Sequence, residues 1–93
     1  MDDSMAHVYI LKTAKDKYYI GSTANFVDRI SKHQKGKVKT TKSALPVSLV
    51  YTEQYQTRGE AQKREYEIKS WKSRKRIEAL IRIGSVMAPS SNG

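Results

Sequence analysis

The 93-residue chain contains no cysteine, which removes disulfides and thiolate zinc sites and fits a reducing cytoplasm. It has no apolar run near the roughly 18 residues needed to cross a bilayer, so no membrane partner is expected. No charged leader followed by an apolar stretch opens it, and no secretory signal is expected either. A length of 93 residues leaves room for one domain with one core, and no internal repeat divides it. Acidic residues are scarce as well: nine Asp and Glu stand against eighteen Lys and Arg, giving a formal charge of +9 and a pI near 9.9. Charge of this size concentrates polyanions and supports salt-sensitive, sequence-independent contact with phosphate backbones. A generally basic, soluble surface is the plain alternative. The expectation is a cytoplasmic monomer whose partner is nucleic acid.

What the chain does contain is ordered. His7-Val8-Tyr9-Ile10-Leu11 and Tyr18-Tyr19-Ile20-Gly21-Ser22 are strand-forming runs, joined by a polar link from Lys12 to Lys17 with Asp16 as its turn residue. They predict an antiparallel hairpin. Alternation across the pleat puts Tyr9 and Leu11 on one face and Val8 and Ile10 on the other, with little else apolar beside the Tyr9 phenol. The hairpin can also set Tyr9 and Tyr19 side by side. Asn25 is a candidate cap for a helix from Phe26 to Lys35 with Asp28 in its first turn, stopped at Gly36. Arg29 and His33 share one face of it, next to Phe26 and Ile30.

The stretch from Lys35 to Ser43 offers almost nothing to bury and reads as a mobile basic loop. Val47 to Tyr55 predicts a third strand. Thr57-Arg58-Gly59-Glu60 has the form of a capping box opening a second helix, in which Ala61, Arg64 or Glu65, Ile68 and Trp71 fall on one stripe. Ser73 can cap a third helix, with Ile77, Leu80 and Ile81 inward and Gly84 as its end. The chain therefore predicts an α+β fold, a three-stranded mixed or antiparallel sheet flanked by helices. Residues 1–5 read as a leader, 6–84 as the domain and 85–93 as a disordered tail.

Several side chains could carry chemistry. A carboxylate at Glu65, on the inner stripe, costs energy unless paired, hydrogen-bonded or bound to a metal. Pairing with Arg58, Arg64 or Lys69 is the bland reading; the functional one is Mg²⁺, which keeps several waters and needs no protein cage. Arg29 is either an ordinary helix arginine or a planar fork for phosphate oxygens. His33 is either a core histidine or a group that protonates, donates to phosphate or helps activate water. Tyr18, Tyr51, Tyr55 and Tyr66 read as half-buried packing residues and Trp71 as core, whereas Tyr9 and Tyr19 point to where Arg29 arrives. Two basic clusters, Lys32, Lys35, Lys37, Lys39 and Lys42, then Lys69, Lys72, Arg74, Lys75 and Arg76, are either solvated surface or contacts for a nucleic-acid backbone.

Tyr9 in His7-Val8-Tyr9, the run Tyr19-Ile20-Gly21, Arg29 eight residues after Gly21, His33 one helical turn later and Glu65 in Lys63-Arg64-Glu65-Tyr66-Glu67-Ile68-Lys69 together resemble the GIY-YIG nucleases. The resemblance spans residues 6 to 83 and looks most like the small stand-alone bacterial members. It implies a mixed three-stranded sheet flanked by helices, and cleavage of phosphodiesters in DNA, favoured over RNA, in repair or recombination. It also implies Mg²⁺ (or Mn²⁺) on Glu65, Arg29 stabilising the transition-state phosphate, Tyr9 as general base or water-positioning group, and Tyr19 in support. All these residues, with His33, are expected on one concave face, and Gly21 is expected to let backbone and substrate approach closely. His7 replaces the leading glycine of the first motif, and Ser22 stands where DNA-repair members carry a lysine. No accessory DNA-binding domain accompanies the motifs, so a partner protein is expected to supply substrate specificity. The rival readings are a non-catalytic nucleic-acid-binding module with a degenerate nuclease site, if the carboxylate fails to reach the tyrosines, and a basic protein-interaction domain with a broad apolar patch.

Overall fold

The computed structural model describes residues 5–38 and 42–90. The elements follow as β1 (Ala6–Thr13), β2 (Tyr18–Thr23), α1 (Phe26–Gln34), β3 (Val47–Tyr55), α2 (Arg58–Trp71) and α3 (Arg74–Ser90). The strands make one three-stranded sheet in the order β2-β1-β3, antiparallel at both junctions. β1 is central, and its Ala6, Val8, Tyr9, Ile10 and Leu11 are each at most 1% exposed. A strand buried on both faces requires a helical layer on each. Val8 and Ile10 pack with Ile20, Ala61 and Ile68, sealed by Trp71, Ile77, Leu80 and Ile81 from α2 and α3. Tyr9 and Leu11 pack with Ile30 of α1 and Val47 of β3. The face of Tyr9 is thus apolar, contrary to the sequence expectation, because α1 and β3 deliver side chains that alternation within the hairpin cannot foresee.

Helix ends follow local chemistry in most places. Glu60 N–H donates to Thr57 Oγ1 at 3.1 Å and Thr57 N–H to Glu60 Oε1 at 3.3 Å, the reciprocal capping box. Ser73 Oγ accepts from Arg76 N–H at 3.3 Å at the start of α3. At the end of α1, Gly36 takes φ 76°. Its N–H bonds to His33 O at 3.1 Å while Lys37 N–H bonds to Lys32 O at 2.9 Å, a Schellman closure. Asn25 occupies the N-cap position of α1 but its side chain makes no capping bond. Its N–H instead donates to Thr23 Oγ1 at 2.9 Å, tying the helix start to β2.

Gly84 does not end the last helix, which runs on to Ser90. A Cβ at Gly84 would lie 2.6 Å from Tyr51 Cδ1, so the glycine admits the Tyr51 ring rather than a left-handed turn. The expected tail accordingly continues α3 through residue 90, and residues 91–93 and 1–4 lie outside the described residues. Val38, within the expected mobile loop, is 8% exposed. Tyr66, expected half-buried, is 78% exposed because it lies on the side of α2 away from Ala61 and Ile68.

The face under α2 and α3 also carries a polar cluster absent from the sequence reading. Glu53 of β3 accepts Tyr51 Oη at 2.5 Å, Tyr55 Oη at 2.6 Å, and Arg64 Nε and Nη2 at 3.0 and 3.1 Å. Burial would raise the pKa of Glu53, yet the hydrogen bonds from Arg64, Tyr51 and Tyr55 win and hold it below the ordinary 4.5. Burial and the facing carboxylate push Tyr55 up to about 12. Because the folded pKa of Glu53 is depressed, its contribution to stability is complete above 4.5 and is lost as pH falls through the folded value. Glu53→Gln is expected to lower stability at pH 7 by about 1–3 kcal/mol, the cost of losing hydrogen bonds to a charged group, and to flatten the acid limb. Urea denaturation from pH 7 to pH 3 measures both; an unchanged midpoint would contradict the assignment.

Candidate active site

The hairpin turn is set by Asp16 at φ 61°, with Thr13 N–H bonded to Lys17 O at 2.9 Å. In the resulting register Tyr9 faces Gly21 and Leu11 faces Tyr19. Tyr9 and Tyr19 are therefore diagonal neighbours, their rings 6.4 Å apart and inclined at 38°. The Tyr9 ring lies across Gly21, where a Cβ would come within 2.6 Å of Tyr9 Cζ and closer still to Oη. Gly21 is empty for the sake of Tyr9, not to admit substrate as the sequence reading held. His7, in place of the family's glycine, stacks on Phe26 at 4.5 Å and covers the start of α1.

α1 brings two groups to the Tyr9 hydroxyl. Arg29 Nε donates to Oη at 3.5 Å, and His33 Nε2 lies 3.0 Å from it. His33 is fully buried, with its ring against both Tyr9 and Tyr19 at 5.5 and 5.2 Å. Burial, and then the charge of Arg29, depress the His33 pKa below 6.5, so its imidazole is neutral at pH 7. Burial raises the Tyr9 pKa above 10, and the hydrogen bond from Arg29 pulls it only part of the way back. Tyr9 is thus a neutral phenol. With His33 in the tautomer that leaves Nε2 unprotonated, a directed chain runs from Arg29 N–H to Tyr9 O–H to His33. A fully buried His33 does not reach a phosphate; the burial fits the core-histidine reading, and the proton partner this geometry offers it is the Tyr9 hydroxyl. The hydrogen bond to Tyr9, and more weakly the contact with Tyr19, keep Arg29 firmly protonated.

Glu65 does not share this face. Ser22 Oγ donates to Glu65 Oε1 at 2.5 Å and Lys69 Nζ to Oε2 at 2.6 Å. Ser22 is paired with Val8, on the α2 side of the sheet, whereas Gly21 is paired with Tyr9 on the α1 side. The expected single concave face is therefore corrected to the two sides of one strand, since neighbouring β2 residues point to opposite faces. β2 is an edge strand, so its outer edge at Gly21 and Ser22 is where both layers can be met at once. The Glu65 charge reaches across far enough to raise the Tyr9 pKa. The bland pairing with Lys69 is the one formed.

No group of three or more metal-ligating side chains occurs among the described residues. A lone half-buried carboxylate beside a serine hydroxyl still suits Mg²⁺, a hard ion that takes one carboxylate and completes its shell with water. Lys69 would have to leave Oε2, and half of its side chain is exposed.

Of the residues expected to hold nucleic acid, Lys35, Lys37, Lys42, Lys72 and Lys75 are exposed, and Lys69 is exposed apart from its bond to Glu65. Lys39 lies outside the described residues. Arg74 is engaged elsewhere: it donates to Asp16 O at 2.6 Å, Asp16 Oδ1 at 3.0 Å and Glu78 at 3.0 Å, and its guanidinium lies 4.7 Å from the Tyr18 ring. It clamps the hairpin turn to α3, because its planar fork matches the turn's carbonyl and carboxylate. Trp71 is wrapped by Arg64 and Arg76 at 5.5 and 4.4 Å, in keeping with a core role. Ser22 is the site residue that sequence reasoning passed over as a mere departure. Its signal was the alternation that puts it beside Ile20 under α2.

Residues 5–78 match the family model of the GIY-YIG catalytic domain. UPF0213 proteins of Staphylococcus aureus, in strains Mu3, Mu50 and N315, are each 42% identical over 74 residues, which cover 78% of this chain and 90% of the relative. A UPF0213 protein from Bacillus halodurans, solved by NMR in solution, superposes with a TM-score of 0.57 at 36% identity, covering 85% of this chain and 84% of that one.

A methyl group at Gly21 would collide with a ring that has no room to retreat. Gly21→Ala is expected to cost about 1–3 kcal/mol, as overpacking does, and to break the Tyr9–His33 bond. Denaturation gives the first and the imidazole NMR shifts of His33 the second; a variant with unaltered stability and shifts would show that Tyr9 does not lie across Gly21.

Proposed function

The chain belongs to the GIY-YIG family of nuclease catalytic domains, and from that premise we propose that it hydrolyses phosphodiester bonds in DNA with one Mg²⁺ or Mn²⁺ ion on Glu65. The observation that carries the proposal is the Tyr9 hydroxyl, held between Arg29 and His33 one residue from the Ser22 that holds Glu65. A phosphate at the outer edge of β2 would meet the terminal nitrogens of the Arg29 fork, whose Nε is anchored on Tyr9 and which also interacts with Tyr19. That arrangement keeps the guanidinium charged and aimed where negative charge develops on phosphate oxygens. Water attacks phosphorus, its proton passes to Tyr9 Oη, and the phenol proton passes to the neutral Nε2 of His33. The phosphorus–oxygen bond to the leaving strand breaks, and that oxygen takes a proton from solvent. Relaying the proton spares Tyr9 from ionising, which its raised pKa opposes.

Glu65 and Ser22 would hold the ion, which supplies Lewis-acid stabilisation of the developing phosphate charge. Breaking the Glu65–Lys69 pair costs little, since partly exposed ion pairs are worth about 0–1 kcal/mol. Lys35 and Lys37, just beyond His33, and Lys72 and Lys75 at the junction of α2 and α3, would carry the strand backbone. A repair or recombination setting, with a partner protein choosing the substrate, completes the proposal. The second reading, a nucleic-acid-binding module without catalysis, draws support from Glu65 lying across β2 from Tyr9, which is the arrangement expected of a degenerate site, from Tyr9 being 1% exposed and from both oxygens of Glu65 being engaged.

Cleavage of DNA and RNA substrates with Mg²⁺ and with Mn²⁺ decides between them. Glu65→Gln and Arg29→Ala are each expected to lower cleavage roughly a thousandfold, about 4 kcal/mol of transition-state stabilisation, while binding survives. Equal cleavage by Glu65→Gln would overturn the metal assignment, and an unmodified chain that binds but cleaves nothing would favour the second reading. Affinity for unrelated oligonucleotides should fall steeply between two salt concentrations and vary little with sequence; salt-insensitive binding would contradict a phosphate-dominated interface.

A further inference from the structure

Beside Glu65, on the outer side of α2, Tyr66, Lys69, Ser70 and Lys72 line an open pocket of about 410 Å³. Tyr66, Lys69 and Ser70 fall three and four residues apart and so share one helical face, while Ala61 and Ile68 take the inner one. Tyr66 leaves its ring 78% exposed, and no aromatic neighbour stacks on it among the described residues. Lys72 closes α2 in a left-handed turn at φ 49° and supplies the second ammonium of the pocket. No acidic residue lines it. Glu65 is joined to the pocket by Lys69 at 2.6 Å.

An open aromatic face flanked by the exposed ammonium of Lys72 and by that of Lys69, which Glu65 shares, has the chemistry of a seat for one nucleotide: the ring stacks the base, and the cations take its phosphate. The Ser70 hydroxyl donates to Glu67 O. Bases within a duplex are stacked on each other and present only their edges, so away from a duplex end the ring can be used only by an unpaired base. We propose that this surface seats one unpaired nucleotide of the strand next to the phosphate that lies against the edge of β2. Naming that phosphate rests on the nuclease reading; the seat itself does not. The substrate class this selects is a strand with a single-stranded stretch at the cleavage position rather than continuous duplex. Lys69, shared between Glu65 and the pocket, links the seat to the carboxylate.

The test is binding without divalent ions, so that no cleavage intervenes. A fluorescently labelled thymidine oligonucleotide and a blunt duplex of equal length are titrated by anisotropy at one salt concentration against the unmodified chain, Tyr66→Ala and Tyr66→Phe. Tyr66→Ala should bind the single strand about tenfold more weakly, the loss of one stacked base, and the duplex within about twofold of the unmodified chain. Tyr66→Phe, which keeps the ring, should bind both as the unmodified chain does. Single-strand binding unaffected by Tyr66→Ala, an equal loss on the duplex, a Phe variant as weak as the Ala variant, or no single-strand binding by the unmodified chain would each overturn the proposal. If the selective loss is found in a protein that cleaves nothing with either Mg²⁺ or Mn²⁺, the seat stands and the nuclease reading falls.

Discussion

The Tyr9 phenol, laid across Gly21 and buried under α1, is the constraint around which the molecule is arranged. Its ring requires β2 to carry no side chain at Gly21. Its hydroxyl, once buried, requires partners, because an unpaired buried hydroxyl costs about 1–3 kcal/mol. Arg29 and His33 answer that demand from 20 and 24 positions away, so α1 can dock with one rotation only. His33 is in turn kept neutral by the burial that the docking imposes. Packing and proton chemistry are thus the same event.

Both sides of the sheet carry groups assigned to chemistry, and the α2 side also carries groups that hold the fold. Under α2, Glu53 gathers two phenols and one guanidinium in a half-buried site. Arg74 clamps the hairpin turn to α3. In both cases an arginine is used where a fork can meet two acceptors at once. The lysines, compact and strongly hydrated, stay outside, at the end of α1 and around the junction of α2 and α3. The net charge of +9 is therefore not spread evenly in function. Part of the arginine complement is internal structure, and the exposed lysines are what a polyanion would meet.

An unpaired strand edge is normally a liability that proteins shield. Here the edge strand β2, one of the two edges of the sheet, is a line from which both faces can be touched. Tyr9 and Arg29 stand on one side of it and Ser22 with Glu65 on the other. The proposed phosphate would approach in the plane of the sheet, since each face is covered by a helix. Ser22, which lacks the charge of the lysine found at its position in DNA-repair members, is beside the ammonium of Lys69 through their common partner Glu65.

Signals that act over a few residues were legible in the chain. The three strands, the Thr57–Glu60 capping box, the Ser73 cap, the stop at Gly36 and the shared face of Arg29 and His33 all follow from spacing within one turn or one hairpin. So did the family, because its motifs are local and ordered. What the sequence could not determine depends on elements far apart in the chain: that Glu65 lies across β2 from Tyr9, that Gly84 makes room for Tyr51, that Arg74 reaches Asp16, that Glu53 binds Arg64, and that Asn25 leaves its cap unused. A helical period tells which residues share a face but not which layer that face will meet. The layers are chosen when β1 is buried from both sides, and only then do a carboxylate from one helix and a guanidinium from another come to flank the same strand.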